Sequence, residues 1–357
     1  MKKICAHIII RDKFTSGYIN FLKRFDLGWN HFFFTFDKDY SLNLINDDNV
    51  YIVKDYKTIL SDHKDLLNKA DRIIIAAFFD EALELFNMPK DLWNKTYIQF
   101  WGGDIYRFRQ KRDGFINVMK QKVVKTMVSN CVDKCAGVLT LVKKDYEAVE
   151  DIFGVKNKDH RVIQVPDDFY EINHLDYERI KKEENYHGKK RILVGNSATE
   201  ENQHIEIFEL LKDKLDENTE VLVPLSYGVD AYKEHVLNKG KEILKDAFVP
   251  VVDFMPREKY IGLLSTCDVA IFNNNRQQAT GNIIVLANLG KKLYLRDDTS
   301  MWEFFIKLDF KIHTINELKT SSLEDILNNP NEEINNNYLA LKQMEEKAIK
   351  QWEDFFK

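Results

Sequence analysis

A chain of 357 residues is longer than the ~100–200 residues of a usual domain, so two domains are expected. Hydrophobic residues make up 44% and charged residues 31%, which excludes a disordered or fibrous protein. The 52 basic and 57 acidic side chains nearly cancel at −5, so no global field recruits nucleic acid.

The chain opens on MKKICAHIII, two lysines and an apolar run that Arg11, Asp12 and Lys13 interrupt at once. A signal peptide would extend that run and end in small residues, so a first β-strand is predicted instead. Short apolar runs then predict strands at 4–10, 31–36, 51–53, 72–77, 97–100, 138–141 and 162–165. A second series is predicted at 191–194, 220–224, 248–252, 269–272, 292–295 and 311–313. Continuous β-branched and aromatic runs suit strands buried on both faces of a parallel sheet. Amphipathic stretches such as 205–215, 230–243 and 257–267 lie between them, which argues for βαβ units in two doubly wound domains. The boundary is expected within 166–188, giving a first domain over 1–170 and a second over 188–330. Residues 328–337 (NNPNEEINNN) read as a polar turn. Beyond them Leu341, Met344, Ala348, Trp352 and Phe355 share one helical face, so a terminal helix over 335–357 is expected to pack back on the first domain. No stretch approaches the ~18–20 apolar residues of a membrane span, so a cytoplasmic or peripheral protein is expected.

Cys5, Cys131, Cys135 and Cys267 are too few and too scattered for a disulfide framework. Cys131 and Cys135 fall four apart on one predicted helix, but no second pair completes a zinc site with them. They are expected to be buried free thiols.

In open α/β sheets ligands bind at the carboxyl ends of the strands. The strand end at 268–290 runs into Asn273, Asn274, Asn275, Arg276, Gln277 and Gln278, and Ala279, Thr280, Gly281 and Asn282 then open an apolar helix. Backbone N–H groups at a helix start hold phosphate, Arg276 adds a planar fork, and amides bind ligand oxygens without adding charge. The strand end at 191–204 carries Gly195, Asn196 and Ser197, with Ser197 or Thr199 placed to cap the next helix. It is not a P-loop, because no Gly-Lys-Ser/Thr follows. A third strand end places Tyr227 at the same rim, able to stack on a base. In the first half, Trp101, Gly102, Gly103 and Asp104 make a plausible sugar platform beside a carboxylate, with Asp12 a second acid at a strand end. Asp37 and Asp39 form an acid-x-acid pair that is read as an exposed turn rather than a cation site. Residues 107–125 carry seven basic side chains against one acid. Arg107, Arg109, Lys111 and Arg112, with interleaved apolar residues, suit contact with an anionic membrane surface; the alternative is a solvated helix face.

Four strings, VGNS…NQHI (194–205), VPLSYG…AYKEHV (223–236), CDVAIF…RQQ (267–278) and FWGGDIY (100–106), resemble the TDP-N-acetylfucosamine:lipid II N-acetylfucosaminyltransferases, glycosyltransferase family 56. The resemblance implies a GT-B fold, two Rossmann-like domains facing a cleft, with no catalytic metal and no cofactor. It implies a dTDP-sugar donor in the second domain, lined by Gly195, Asn196, Ser197, Tyr227, Arg276, Gln277, Gln278, Thr280 and Asn282. Trp101 and Gly103 would face a polyprenyl-diphosphate-linked saccharide acceptor at the cytoplasmic face of the inner membrane, with Asp104 or Asp12 as base. Departures exist: Ala279 and Ala198 stand where the family tends to carry glycine, and Ser226 and Gly228 differ around Tyr227. A non-catalytic sugar-nucleotide binding module, a metal-dependent transferase using Asp37 and Asp39, and a sugar 2-epimerase are the alternatives.

Overall fold

A computed structural model of the chain describes residues 2–10, 15–24, 28–36, 48–109, 114–156, 158–164 and 188–357. The chain divides into two compact units, one holding residues up to 173 together with Glu345–Lys357, the other running from 174 to Met344.

The first unit is built on a sheet of seven strands: β1 (Lys3–Ile9), β2 (Trp29–Phe36), β3 (Val50–Val53), β4 (Arg72–Ala76), β5 (Thr96–Gln99), β6 (Gly137–Thr140) and β7 (Asp159–Val162). Their order is β3-β2-β1-β4-β5-β6-β7, every pair parallel. The second unit carries β8 (Lys190–Val194), β9 (Thr219–Pro224), β10 (Phe248–Val251), β11 (Val269–Phe272), β12 (Lys292–Leu295) and β13 (His313–Thr314) in the order β10-β9-β8-β11-β12-β13, again all parallel. In each sheet the strand order reverses beside the first strand, between β1 and β4 and between β8 and β11. A crevice opens at such switch points, at the carboxyl ends of the strands.

The apolar runs mark these strands because both faces of the sheets are covered. Ile73, Ile74 and Ile75 on β4 are all fully buried, and burying each such side chain stabilises the fold by about 1.5–3 kcal/mol. β7 begins three residues before the apolar run that predicted it. As an edge strand it pairs through its backbone with Gly137–Thr140, so its partly exposed side chains need no apolar pattern. β13 is likewise shorter and later than the run at 311–313, with only Tyr294–His313 and Leu295–Thr314 paired.

The terminal helix spans Asn331–Phe356, so most of the stretch read as a polar turn is helical. Pro330 precedes it, and Glu332 and Glu333 in the first turn meet the positive end of the helix dipole. Asn337 faces inward and accepts from the Lys311 N–H at 2.7 Å while donating to the Lys311 carbonyl at 2.9 Å. Polar composition therefore concealed a buried contact. The predicted apolar stripe is buried throughout. Its last turns belong to the first unit, where Trp352 meets Tyr18 edge-on at 6.0 Å and Phe355 meets Tyr97 at 5.0 Å. The Trp29 indole and the Arg72 guanidinium donate to the Phe356 and Phe355 carbonyls, which ties off the helix end.

Candidate functional site

In the second unit, the loops after β8, β9 and β11 form one hydrogen-bonded cluster. Gly195 leaves β8 at φ +71°, and a Cβ there would lie 2.5 Å from His204 Nε2 and 2.9 Å from Asn202 Oδ1. Only glycine fits so close a turn. Asn196 N donates to Asn202 Oδ1 at 3.0 Å, and Asn202 Nδ2 donates to Thr199 Oγ1 at 3.0 Å and Ser197 Oγ at 3.2 Å. Asn196 Nδ2 reaches the Tyr227 hydroxyl at 3.1 Å. The loop after β9 is stitched to this turn by Ala198 N to Tyr227 O and Val229 N to Ala198 O, both 2.8 Å. Gly228 has φ +130°, and a Cβ there would strike Ala198 O at 2.3 Å. Gly228 is thus packed directly against the Ala198 backbone.

From the other side, Asn274 Nδ2 donates to Asn202 Oδ1 at 3.1 Å and Gln278 Nε2 to Ser197 Oγ at 3.0 Å. Ala279 takes the left-handed conformation, φ +65°, just before the helix Thr280–Asn288. Arg276 Nε lies 3.3 Å from Glu201 Oε1, and its Nη1 donates to Gln277 O at 2.9 Å. Gln277 Nε2 reaches Thr280 Oγ1 at 3.2 Å, while Asn282 turns to the Tyr260 hydroxyl at 2.9 Å. Gly195, Asn196, Ser197, Tyr227 and Gln278 are therefore brought together, with Arg276, Gln277 and Thr280 beside them. Three buried acceptors in this cluster, Asn273 Oδ1, Asn274 Oδ1 and Gln278 Oε1, have no hydrogen-bond donor among the described residues.

Two features differ from expectation. Neither Ser197 nor Thr199 caps a helix; a 3-10 turn, Glu200–Asn202, follows, and Gln203 at φ +49° leads into the helix His204–Leu211. The hydroxyls accept from Asn202 and Gln278 instead. Asn202, not singled out in the sequence, is fully buried and bonds three parts of the cluster. An amide just past an acid pair gives no sequence signal for that. His204 is buried beneath Gly195, its pKa pushed down to about 3 by burial, and its Nδ1 lies 3.2 Å from the Tyr232 hydroxyl.

In the first unit, the loop after β5 is organised by Asp104. Its side chain is wholly buried, with Oδ2 accepting from Phe78 N at 2.9 Å and Oδ1 from Trp101 N at 3.0 Å. Burial pushes its pKa up to about 6, against those two N–H donors. The carboxylate thus joins the ends of β4 and β5 rather than facing solvent. Trp101 is half-buried, and Gly103 starts a short helix (Gly103–Tyr106) after Gly102 at φ +90°. Gln99, at the end of β5, is buried, and neither of its amide atoms has a hydrogen-bond partner among the described residues.

Arg107 is turned inward, paired with Asp80 at 2.6 Å and lying against Phe79 and Phe108. Arg109 is half-exposed and pairs with Asp151 at 3.1 Å. Arg107 is therefore held within its own unit instead of being presented to a membrane. Asp12, Lys111 and Arg112, like Asp37 and Asp39, lie outside the described residues. Further on, the helix Phe115–Lys134 opens with Phe115, Ile116, Met119 and Val123 all exposed, Phe115 by 80%. No helix among the described residues is long and apolar enough to cross a membrane.

Two all-parallel, doubly wound sheets on one chain are the architecture of the GT-B glycosyltransferases. Solved structures share the fold along the whole chain. Anabaena HepE in complex with UDP is 10% identical, with 99% of this chain and 100% of that one covered and a TM-score of 0.67. A glycosyltransferase from Rickettsia africae ESF-5 is 11% identical, covering 100% and 99%, with a TM-score of 0.64. The E. coli structure described as trehalose-6-phosphate bound with UDP-2-fluoro glucose is 9% identical over 98% of both chains, with a TM-score of 0.61. Residues 93–327 match the 4-alpha-L-fucosyltransferase glycosyl transferase group 56 model, and the chain belongs to that family.

Proposed function

We propose that the chain transfers an acetamido-deoxyhexose, N-acetylfucosamine or a close relative, from a dTDP-sugar to a polyprenyl-diphosphate-linked saccharide for a bacterial surface polysaccharide. The observation that carries this reading is the set of three buried amide oxygens without donors among the described residues, beside Arg276 and the start of the helix Thr280–Asn288. Such acceptors cost about 1–3 kcal/mol each while unsatisfied, and a small opening of these loops would let the hydroxyls of a sugar nucleotide supply the missing donors. The family and the UDP-bound neighbour support a nucleoside diphosphate here.

In this reading Gly195, Asn196, Ser197, Tyr227, Gln277, Gln278 and Asn282 line the donor pocket. Charge developing on the leaving diphosphate is met by Arg276 and the backbone N–H groups from Thr280 onward. Trp101 and Gly103 take the acceptor. Asp12 removes the acceptor proton, and Asp104 holds the loop that carries Trp101. The exposed apolar start of the helix Phe115–Lys134, flanked by Lys120, Lys122 and Lys125, rests on the anionic cytoplasmic face of the inner membrane.

A panel of dTDP-, UDP- and GDP-sugars tested by thermal shift, followed by transfer to a lipid-linked saccharide, tests the proposal. Binding to the native state stabilises it by about 2.7 kcal/mol at a hundredfold excess over Kd. The largest shift is expected with a dTDP-acetamido-deoxyhexose. A panel in which no sugar nucleotide moves Tm overturns the reading.

A further inference from the structure

We propose that Cys5, His7 and His31 form a binding site for one soft d10 metal ion inside the first unit, independent of the donor site. Cys5 and His7 are two apart on β1, so their side chains share one face of the sheet. His31 on β2 is the direct cross-strand partner of Cys5. The three side chains are buried, and one ligand atom from each lies within 4.8 Å of the others.

The geometry is close to that of a bound ion. His7 Nε2 and His31 Nδ1 are 2.9 Å apart, whereas two nitrogens on a tetrahedral zinc with ~2.0–2.1 Å bonds sit about 3.3 Å apart. Inserting an ion therefore spreads the pair by a few tenths of an ångström and draws the Cys5 thiolate inward. The other nitrogen of His7, Nδ1, lies 3.0 Å from the Tyr18 hydroxyl. A hydroxyl accepts as readily as it donates, so Tyr18 is able to accept from Nδ1–H and leave the Nε2 lone pair for the ion, the outer-shell support typical of ligating histidines. Phe33 stacks on His7 at 4.8 Å and Phe356 meets His31 edge-on at 4.9 Å, which closes the site with apolar rings.

A thiolate with two imidazoles selects Zn2+ or Cu+. Cu+ with one thiolate is neutral, which suits a site walled by apolar rings, while Zn2+ takes a fourth ligand and leaves one positive charge. On metal binding the thiol proton leaves to solvent and the metal–sulfur bond replaces the S–H bond. Because Phe356 covers His31, the ion would lock the end of the terminal helix onto β1 and β2.

The test uses the full chain, stripped with a chelator and then given Zn2+ or, without oxygen, Cu+. A parallel preparation grown in zinc-supplemented medium covers slow entry into a buried site. One equivalent of metal and a rise in apparent Tm are expected, with a thiolate charge-transfer band when Co2+ is the probe. Cys5→Ser and His31→Gln should lose the metal and the band, whereas the combined Cys131→Ala, Cys135→Ala and Cys267→Ala variant should keep both. No uptake of either ion by any preparation overturns the proposal, as does uptake unchanged in Cys5→Ser. Should those variants fail to fold, the Co2+ spectrum of the triple variant decides: a thiolate band there supports the site, and its absence refutes it.

Discussion

Asn274 Nδ2 donates to Asn202 Oδ1 at 3.1 Å, and this one hydrogen bond joins the loop after β11 to the turn after β8 across the switch point of the second sheet. The same oxygen accepts from Asn196 N at 3.0 Å, so one buried carbonyl touches both halves of the loop cluster, beside the Gln278–Ser197 bond. Asn202→Ala removes it and strands a buried N–H. The expected cost is about 2–4 kcal/mol in denaturant unfolding, together with weaker sugar-nucleotide binding by thermal shift. A variant with wild-type affinity would show that the two loops are positioned by something else.

Arg276 should behave differently. Its guanidinium is only 20% exposed, paired with the buried Glu201, and its other contact is a backbone carbonyl in its own loop. Arg276→Ala is expected to lower kcat by about 10²–10³-fold, the loss typical of removing one charge-stabilising group, while stability falls by about 1–3 kcal/mol because the buried Glu201 carboxylate loses this partner. Steady-state transfer rates beside unfolding curves check this. Wild-type turnover in the variant removes Arg276 from the leaving-group role.

Ala279 offers a gain of stability. Its φ of +65° is left-handed, which costs a non-glycine residue about 1–2 kcal/mol. Glycine avoids that strain but loses more chain entropy on folding, by about 0.5–1 kcal/mol. Ala279→Gly should therefore stabilise by up to about 1 kcal/mol. Its donor affinity should change as well, because the position opens the helix proposed to receive the diphosphate. Unchanged or lower stability would mean that the Ala279 methyl makes compensating contacts.

Most strands were legible because parallel sheets covered on both faces demand uninterrupted apolar runs, as at Ile73–Ile75 and Val269–Phe272. Two edge strands, β7 and β13, were displaced by up to three residues, since an edge strand can rely on backbone partners alone. The asparagine-rich start of the terminal helix escaped for a related reason: Asn337 is buried by hydrogen bonding to Lys311, not by apolarity. The glycine and amide residues that meet in the loop cluster of the second unit could be picked out by residue type. The keystone role of Asn202 could not, because it depends on segments far apart in the chain. Asp104 was legible as an acid at a strand end, but its burial was not, since that follows from Phe78 and Trp101 offering N–H groups inward. The Cys5, His7 and His31 cluster needed the β1–β2 register to appear at all.

The exposed start of the helix Phe115–Lys134 predicts a membrane readout. Phe115 and Ile116 are 80% and 69% exposed, beside a strongly basic segment. Flotation with vesicles containing anionic lipid should recover the protein at low salt and lose it as salt screens the lysines. A Phe115→Ser, Ile116→Ser double variant should lose most binding with Tm unchanged, since both side chains stand in solvent. Equal recovery on neutral vesicles would show that charge plays no part, and no recovery on either would remove this helix as the contact.

Asp104 makes a prediction about pH. Its pKa rises from 3.8 to about 6 in the folded protein because burial disfavours the charged form. The native state therefore binds a proton more tightly than the unfolded chain, so this group favours folding below pH 4 and loses that contribution as pH rises to 6. The loss approaches about 3 kcal/mol above pH 6, because each pH unit between the two values removes roughly 1.4 kcal/mol. His204 and His160, pushed down to about 3 and about 4 by burial, act in the opposite sense and lower stability as pH falls below 6.5. Comparison with Asp104→Asn isolates the first effect, because the histidine contributions cancel in the difference. At pH 4 the protonated carboxyl offers one good acceptor oxygen to the Phe78 and Trp101 N–H groups, as asparagine does, so the two proteins should differ little there. The variant should gain on the wild type steadily towards pH 7 as the wild type takes on its buried charge. A difference between the two unfolding free energies that stays flat from pH 4 to pH 7 would mean that Asp104 titrates as an ordinary carboxylate and that its loop opens to water in solution.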